Sequence, residues 1–322
     1  MFQSKIQNLK SQIGMTVSGY RVAAYITAYE EPKAIETCVA AIQNQSILVE
    51  NIFIVDNSRR HPITWQDRGK IWVEYRPENI GVSGGVRRGL EWAIEGGYDF
   101  LWAFDQDSVP AGNCLERLLQ TYKSESKPEC PIGIVGPTAI DPRTNWVIEG
   151  SVFERDAFLP RHPPSSTEPY ECDAPITSGS LISLKAAKMT APPRDDLFID
   201  GIDMDYGLRL KLKGFRNLIV PDAILYHQFG NPIQGRFGKR DIFLQKYPPL
   251  RHYYICRNHT YLALHYARGW HRASSILRRL KYMAHTMILV GMYDPEPKSL
   301  KLWACLLGTF HGIVGRLGKV WQ

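Results

Sequence analysis

Between residues 20 and 125 the chain alternates short apolar runs with stretches of helical periodicity, and this rhythm constrains the fold more than any other feature. Runs at 22–27, 51–55, 71–75 and 100–104 read as strands, the first of them buried. Between them, 33–43 carries Ile35, Val39 and Ile42 at helical spacing behind Pro32, the glycine-rich stretch 81–85 leads into a helix through about 94, and a further helix is expected near 113–122. Repeated strand–helix–strand units give a mostly parallel sheet flanked by helices. In such sheets, ligands sit outside the carboxyl ends of the strands. Asp56, Asn79 and Asp105 all lie just past an expected strand end, although chain reversals also favour Asp and Asn.

The second half reads differently. Residues 141–175 are rich in proline and poor in period, as a long loop with some strand would be. Residues 176–184 look like a strand beside the small-residue turn Thr177-Ser178-Gly179-Ser180, 201–213 like a helix and 217–220 like a strand. After Pro248-Pro249, helices are expected near 250–268, 271–290 and 298–317. With 322 residues, 44% of them hydrophobic, the chain is long enough to bury a real core.

Charge is divided unevenly. Residues 1–235 hold 24 Lys and Arg against 29 Asp and Glu, whereas 236–322 hold 15 against 3. Arg278, Arg279 and Lys281 sit among Ile276, Leu277, Leu280, Met283 and Met287, a basic amphipathic pattern suited to an anionic membrane surface. No zinc-finger, homeodomain or RNA-recognition signature supports nucleic acid as the partner. The apolar stretch 302–315 is short of the ~20 residues a membrane span needs. The first residues, with Lys5 and Lys10, lack the apolar run of a signal peptide, and six scattered cysteines form no Cys-x-x-Cys pair. A reducing, cytoplasmic location without zinc is expected.

Four motifs carry chemistry. Asp105-Gln106-Asp107-Ser108 directly follows a strand, so its two carboxylates share a face in extended backbone. Their repulsion is tolerable with Mg²⁺ or Mn²⁺ between them and a phosphate; a turn with solvated acids is the plain alternative. In 198–209, Asp203 and Asp205 fall ~200° apart on a helix wheel and cannot face one cleft. One suits a base and the other a structural acid bonded to Arg209, or both simply answer the helix dipole. His227 lies just past a strand, as a ligand or as a packed histidine. Asn79-Ile80-Gly81, with Gly84, Gly85 and Gly89 beyond, allows close backbone approach to an anion but matches neither the dinucleotide nor the Walker pattern.

In order and spacing, Tyr29-Glu30-Glu31, Val55-Asp56-Asn57-Ser58, Asn79-Ile80-Gly81, Asp105-Gln106-Asp107 and Asp203 followed by His227 resemble the inverting glycosyltransferases of family 2 over about residues 20–230. The Asp-Gln-Asp-Ser form, Phe198-Ile199-Asp200-Gly201-Ile202-Asp203, and Arg257-Asn258 in the aromatic tract 253–261 are most similar to the rhamnosyltransferase branch. The resemblance implies an α/β GT-A nucleotide-diphospho-sugar transferase fold with a C-terminal helical extension. The expected organisation is an extension at 1–18, a catalytic domain at 19–235 and a basic helical region at 236–322.

It also implies site roles. Thr27, Tyr29, Glu31 and Asp56 would hold base and ribose, with Asp56 accepting a pyrimidine N3–H; Asn79 and Gly81 would flank the nucleotide, and Gln106 would contact the donor. Asp105 would meet ribose or metal, Asp107 the metal, and His227 the metal or diphosphate. Asp203 would be the base. The chain departs from the family in having Glu30 where Asn is common and Ile202-Asp203 where Glu-Asp is common. The implied donor is dTDP-L-rhamnose and the acceptor an oligosaccharide or polyprenyl-diphosphate-linked glycan at the inner face of the membrane, with an oligomer possible. A UDP-linked galactofuranosyl or other hexosyl donor is the nearest rival. A sugar-1-phosphate nucleotidyltransferase would need a basic phosphate loop where Tyr29-Glu30-Glu31-Pro32 is acidic.

Overall fold

The computed structural model describes residues 19–65, 69–164, 167–237, 240–294 and 297–321; the expected extension at 1–18 lies outside them. Fourteen strands are described: β1 (Val22–Ala28), β2 (Asn51–Asp56), β3 (Ile71–Tyr75), β4 (Phe100–Asp105), β5 (Ser108–Pro110), β6 (Ile132–Asp141), β7 (Trp146–Ile148), β8 (Ser151–Glu154), β9 (Ala157–Pro160), β10 (Tyr170–Glu171), β11 (Leu181–Ser183), β12 (Arg216–His227), β13 (Asn231–Phe237) and β14 (Arg240–Lys246). The helices are α1 (Pro32–Gln43), α2 (Gly81–Glu95), α3 (Cys114–Glu125), α4 (Leu184–Met189), α5 (Ile202–Leu212), α6 (Pro249–Tyr266), α7 (His271–Tyr293) and α8 (Lys298–Val314).

One large sheet runs β10-β12-β6-β11-β4-β1-β2-β3, with β5 on β12 and β7 on β6. β4, β1, β2 and β3 are parallel, as are β12 and β6. β11 enters antiparallel between β4 and β6. All seven residues of β1 are buried. Its Val22, Ala24, Ile26 and Ala28 join one core beneath α1 and α3, while Ala23 and Tyr25 join a second beneath α2. A strand covered on both faces must be apolar on both, which is why β1 reads as a continuous run.

Gly85 and Gly89 of α2 make room for Tyr25 of β1. A Cβ at Gly85 would lie 2.2 Å from the Tyr25 hydroxyl, and one at Gly89 2.6 Å from its ring. Where a strand was expected at 217–220, β12 continues through a bulge between Val220 and Ile224 and ends on His227 itself. The hairpin of β13 and β14 spans 235/236, so the boundary read there falls inside β13. Beyond it, α8 packs on α6 and α7.

Candidate active site

β4 ends on Asp105, and the tight connection to β5 carries Gln106 and Asp107. β5 pairs with the end of β12, setting Ser108 opposite His227. This pairing, across 119 residues of chain, brings the imidazole to the two acids. His227 Nδ1 lies 3.3 Å from Asp107 Oδ1 and 2.9 Å from Ser108 Oγ, and Nε2 lies 3.9 Å from Asp105 Oδ2. Ser108 Oγ is 2.6 Å from Ser178 Oγ, which accepts the Asp105 N–H. One ligand atom from each of Asp105, Asp107 and His227 lies within 4.8 Å of the others.

The electrostatics fit a cation. Burial, and then Asp107, push the Asp105 carboxyl up, against the pull of His227. Burial works against a charged His227, but the Asp107 and Asp105 carboxylates outweigh it and raise its pKa. Carboxylates that repel each other beside an imidazole are a donor set suited to a hard or borderline divalent ion.

A cavity of about 410 Å³ opens on this cluster and is also lined by Thr27, Tyr29, Gln106, Asp200, Asp203, Arg251 and His259. Asp203 sits in the first turn of α5, its Oδ1 accepting the Met204 N–H at 2.9 Å. Burial, with the nearby charges of Asp200 and Asp105, pushes its carboxyl up to about 6. Asp205 turns the other way: it is buried, and its Oδ2 accepts from Arg209 Nε at 2.8 Å. The wheel angle thus sorts the two acids, one to the cavity and one to a structural pair.

The loop before α5 is strained. Phe198, Asp200 and Gly201 all have positive φ, of 64°, 66° and 81°, and non-glycine residues in this region cost energy that neighbours must offset. Arg257 and Asn258 of α6 supply that support. Asn258 Nδ2 donates among the carbonyls of Leu197, Ile199 and Asp200 at 2.8–2.9 Å, and its Oδ1 accepts from Arg257 Nε at 2.7 Å. Arg257 Nη2 donates to the Asp196 and Leu197 carbonyls, both at 2.9 Å. Its guanidinium is fully buried against the rings of Tyr253 and Tyr254.

Not every expected residue reaches the cavities. Asp56 is fully buried and lines neither this cavity nor its neighbour; its oxygens accept the Ser58 and Ile63 N–H groups at 2.9 and 2.7 Å, so it shapes its own loop. Glu31 is exposed at the start of α1 and lines neither. Its neighbour Glu30, at φ 57°, accepts the Arg59, Arg60 and His61 N–H groups; the Arg59 amide foremost holds its carboxyl below the usual range. The departure from Asn at position 30 thus makes a clamp between two loops. Gln106 pins Tyr29 with both ends of its amide, Oε1 accepting the Tyr29 N–H at 2.6 Å and Nε2 donating to the Tyr29 carbonyl at 3.0 Å.

A second cavity, of about 290 Å³, adjoins the first through Thr27, Tyr29, Val82 and Ile199 and is lined by Asn57, Arg59, Asn79 and Gly81. Asn79 adopts φ 54°, its Oδ1 accepting the Gly81 N–H at 2.9 Å. Gly81 has φ 73°, and a Cβ there would lie 2.3 Å from the Phe198 carbonyl. Of a further pair lining the first cavity, Asp200 belongs to the 198–203 stretch quoted above and Arg251 had no sequence signal. Asp200 Oδ1 accepts from Arg251 Nη2 at 3.1 Å, which keeps Arg251 charged, while Asp200 Oδ2 and Arg251 Nε find no partner among the described residues.

Comparison with known proteins bears on the family and the fold. The model of the glycosyltransferase-like family 2 matches residues 20–240. Over 303 residues the chain is 24% identical to the dTDP-rhamnosyl transferase RfbF of Shigella flexneri, covering 92% of this chain and 96% of that protein. Among solved structures it resembles GalNAc-T7 with UDP, GalNAc and Mn²⁺, at a TM-score of 0.56 and 12% identity, with 92% of this chain and 56% of that chain covered. The chain therefore spans just over half of that structure's length. It also resembles S. aureus TarS 1-349, at a TM-score of 0.50 and 12% identity, covering 92% of this chain and 82% of that one. The shared architecture is the GT-A fold, followed here by C-terminal helices.

Proposed function

The chain belongs to the glycosyltransferase family 2, and from that premise we propose that it moves L-rhamnose from dTDP-L-rhamnose onto a hydroxyl of a growing, lipid-linked bacterial surface polysaccharide. One observation carries the reading: Asp105, Asp107 and His227 gather their ligand atoms at the wall of a cavity that Asp203 also lines. The choice of donor is supported by the rhamnosyl-transferring relative.

A divalent ion, Mg²⁺ or Mn²⁺, held by Asp105, Asp107 and His227 would supply Lewis-acid neutralisation of the donor diphosphate. The other tasks fall to the chain's own side chains. Thr27, Tyr29, Asn79 and Gly81 receive the nucleotide, and Gln106 holds Tyr29 in place for it. Asp203 accepts the proton of the attacking acceptor hydroxyl, a general-base task worth about 10²–10⁴-fold. Arg251, from the first turn of α6, meets negative charge growing on the departing diphosphate. The C1–O bond breaks as the hydroxyl attacks from the opposite face, so one displacement inverts C1 without an enzyme nucleophile.

The acceptor's lipid handle fits the C-terminal helices. α6, α7 and α8 contain no Asp or Glu. On α8, Leu300, Trp303, Leu306, Phe310, Ile313 and Val314 are exposed at helical spacing, and on α7 Leu277 and Leu280 are exposed beside Arg278 and Lys281. Among the described residues no helix is long and apolar enough to cross a membrane. An apolar face with basic flanks and no acids suits the surface of an anionic bilayer.

A panel of nucleotide sugars with Mn²⁺ tests the reading by thermal shift and by product NMR. dTDP-L-rhamnose should give the largest shift and a product inverted at C1. A larger shift with a UDP-hexose would overturn the donor, and no shift with any nucleotide sugar would overturn the function.

A further inference from the structure

We propose that the segment following α8 is part of the donor site, with Trp321 forming a wall for the nucleobase and Lys319 locking that wall in place. This rests on the glycosyltransferase reading above and adds residues that lie beyond the part of the chain matched by the family model.

The path of the segment is defined by hydrogen bonds. α8 ends at Gly315, with φ 72°, and the chain turns back along the loop that precedes α5. Gly318 N–H donates to the Asp196 carbonyl at 2.7 Å, and the Gly318 carbonyl accepts from the buried Arg257. Lys319 Nζ reaches across some 240 residues of chain to the Glu78 and Asn79 carbonyls, the second at 3.0 Å, and lies 5.4 Å from the centre of the Phe198 ring. Trp321 stacks on Tyr253 with ring centres 5.2 Å apart, and its carbonyl accepts from the Tyr254 hydroxyl at 3.2 Å.

The segment thus forms part of the cavity lining. Lys319 and Trp321 line the 290 Å³ cavity together with Thr27, Asn57 and Asn79. That cavity is mostly apolar and adjoins the cavity bearing the metal cluster through shared residues, so a ligand with a charged end and a flat apolar end can span the two. A nucleoside diphosphate has that shape. The diphosphate belongs with the acids and any ion they hold, and the base belongs against an indole, which stacks on any pyrimidine face. Lys319 carries its charge to backbone carbonyls at the Asn79 turn, so it fixes the distance between the two walls rather than binding phosphate.

The test uses the full-length chain and two probes, dTDP and inorganic diphosphate, titrated calorimetrically with Mn²⁺. In Trp321→Ala the affinity for dTDP should fall about tenfold, while Mn²⁺-dependent binding of inorganic diphosphate stays as in the unaltered protein. Trp321→Phe, which keeps a ring, should restore most of the loss. Lys319→Met should weaken dTDP binding in the same selective way. Unchanged dTDP affinity in Trp321→Ala would overturn the inference, and so would equal losses for dTDP and inorganic diphosphate, since those would mark general damage to the fold. Failure of the unaltered protein to bind dTDP at all would instead sink the dTDP-sugar donor reading on which the inference stands.

Discussion

The sheet and the last helix bury opposite kinds of residue. β1 hides valine, alanine, tyrosine and isoleucine on both faces, and β4 hides Trp102 and Phe104 beside it. α8 hides Lys301, Ala304, Cys305, Gly308, Thr309, His311 and Gly312 and leaves Trp303 and Phe310 more than half exposed. Where it meets α6 it presents small residues, because the two helices lie very close: a Cβ at Gly308 would be 2.4 Å from the Tyr253 carbonyl, and one at Gly312 2.4 Å from that of Arg257. The sheet therefore gains stability from its large side chains. The helix gains closeness from its small ones and frees its large ones for a surface outside the chain.

Substitutions in the two regions should separate accordingly. Asp203→Asn, at the carboxyl edge of the sheet, should lower transfer by about 10²–10⁴-fold in kcat while dTDP binding with Mn²⁺ persists; a normal rate would show that Asp203 is not the base. Trp102→Ala should cost about 3–5 kcal/mol in chemical denaturation, because it empties a buried site and leaves the Gly179 carbonyl, 2.9 Å from Nε1, unpartnered.

The pH dependence comes next in size. With its pKa raised to about 6, Asp203 is a carboxylate above that value and neutral below it. Transfer should therefore fall about tenfold per pH unit below about 6. The sign for stability is the reverse. The folded pKa lies above the unfolded one, so ionised Asp203 costs stability at neutral pH and the cost fades as pH falls towards the ordinary carboxylate range. Asp203→Asn should melt higher than the parent at pH 7.5, and the gap should close near pH 4; a lower melting point at both values would contradict the burial argument.

The smallest effect on stability belongs to the helix. Trp303→Ser with Phe310→Ser should change unfolding free energy by about 0.5 kcal/mol or less and leave transfer to a soluble acceptor intact. The same pair should abolish flotation with anionic vesicles. Flotation equal to that of the parent protein would leave the apolar face without its bilayer.

What could be read from sequence follows how far apart the cooperating groups are. The parallel strands, the Asp105–Asp107 turn and the division of labour between Asp203 and Asp205 are local patterns, visible within a dozen residues. β6 is less visible because Gly133, Gly136 and Pro137 interrupt its apolar run. The hairpin of β13 and β14 likewise follows a turn in a segment of weak alternation. Arg251 and Asn258 act on a loop more than 50 residues away, largely through backbone carbonyls that have no side-chain signature. Asp56 stands beside Asn57, which does line a cavity, and neighbours in an extended chain point to opposite sides.

The two-ended hold of Gln106 on Tyr29 has a mechanical consequence. It joins the loops leaving β1 and β4 into a single rigid jaw, since one amide satisfies both the backbone donor and the backbone acceptor of the same residue. The loop of Phe198, Asp200 and Gly201, with its positive φ angles, is held as firmly by the carbonyl hydrogen bonds of Arg257 and Asn258. Both borders of the cavities are therefore set by the fold before any ligand arrives.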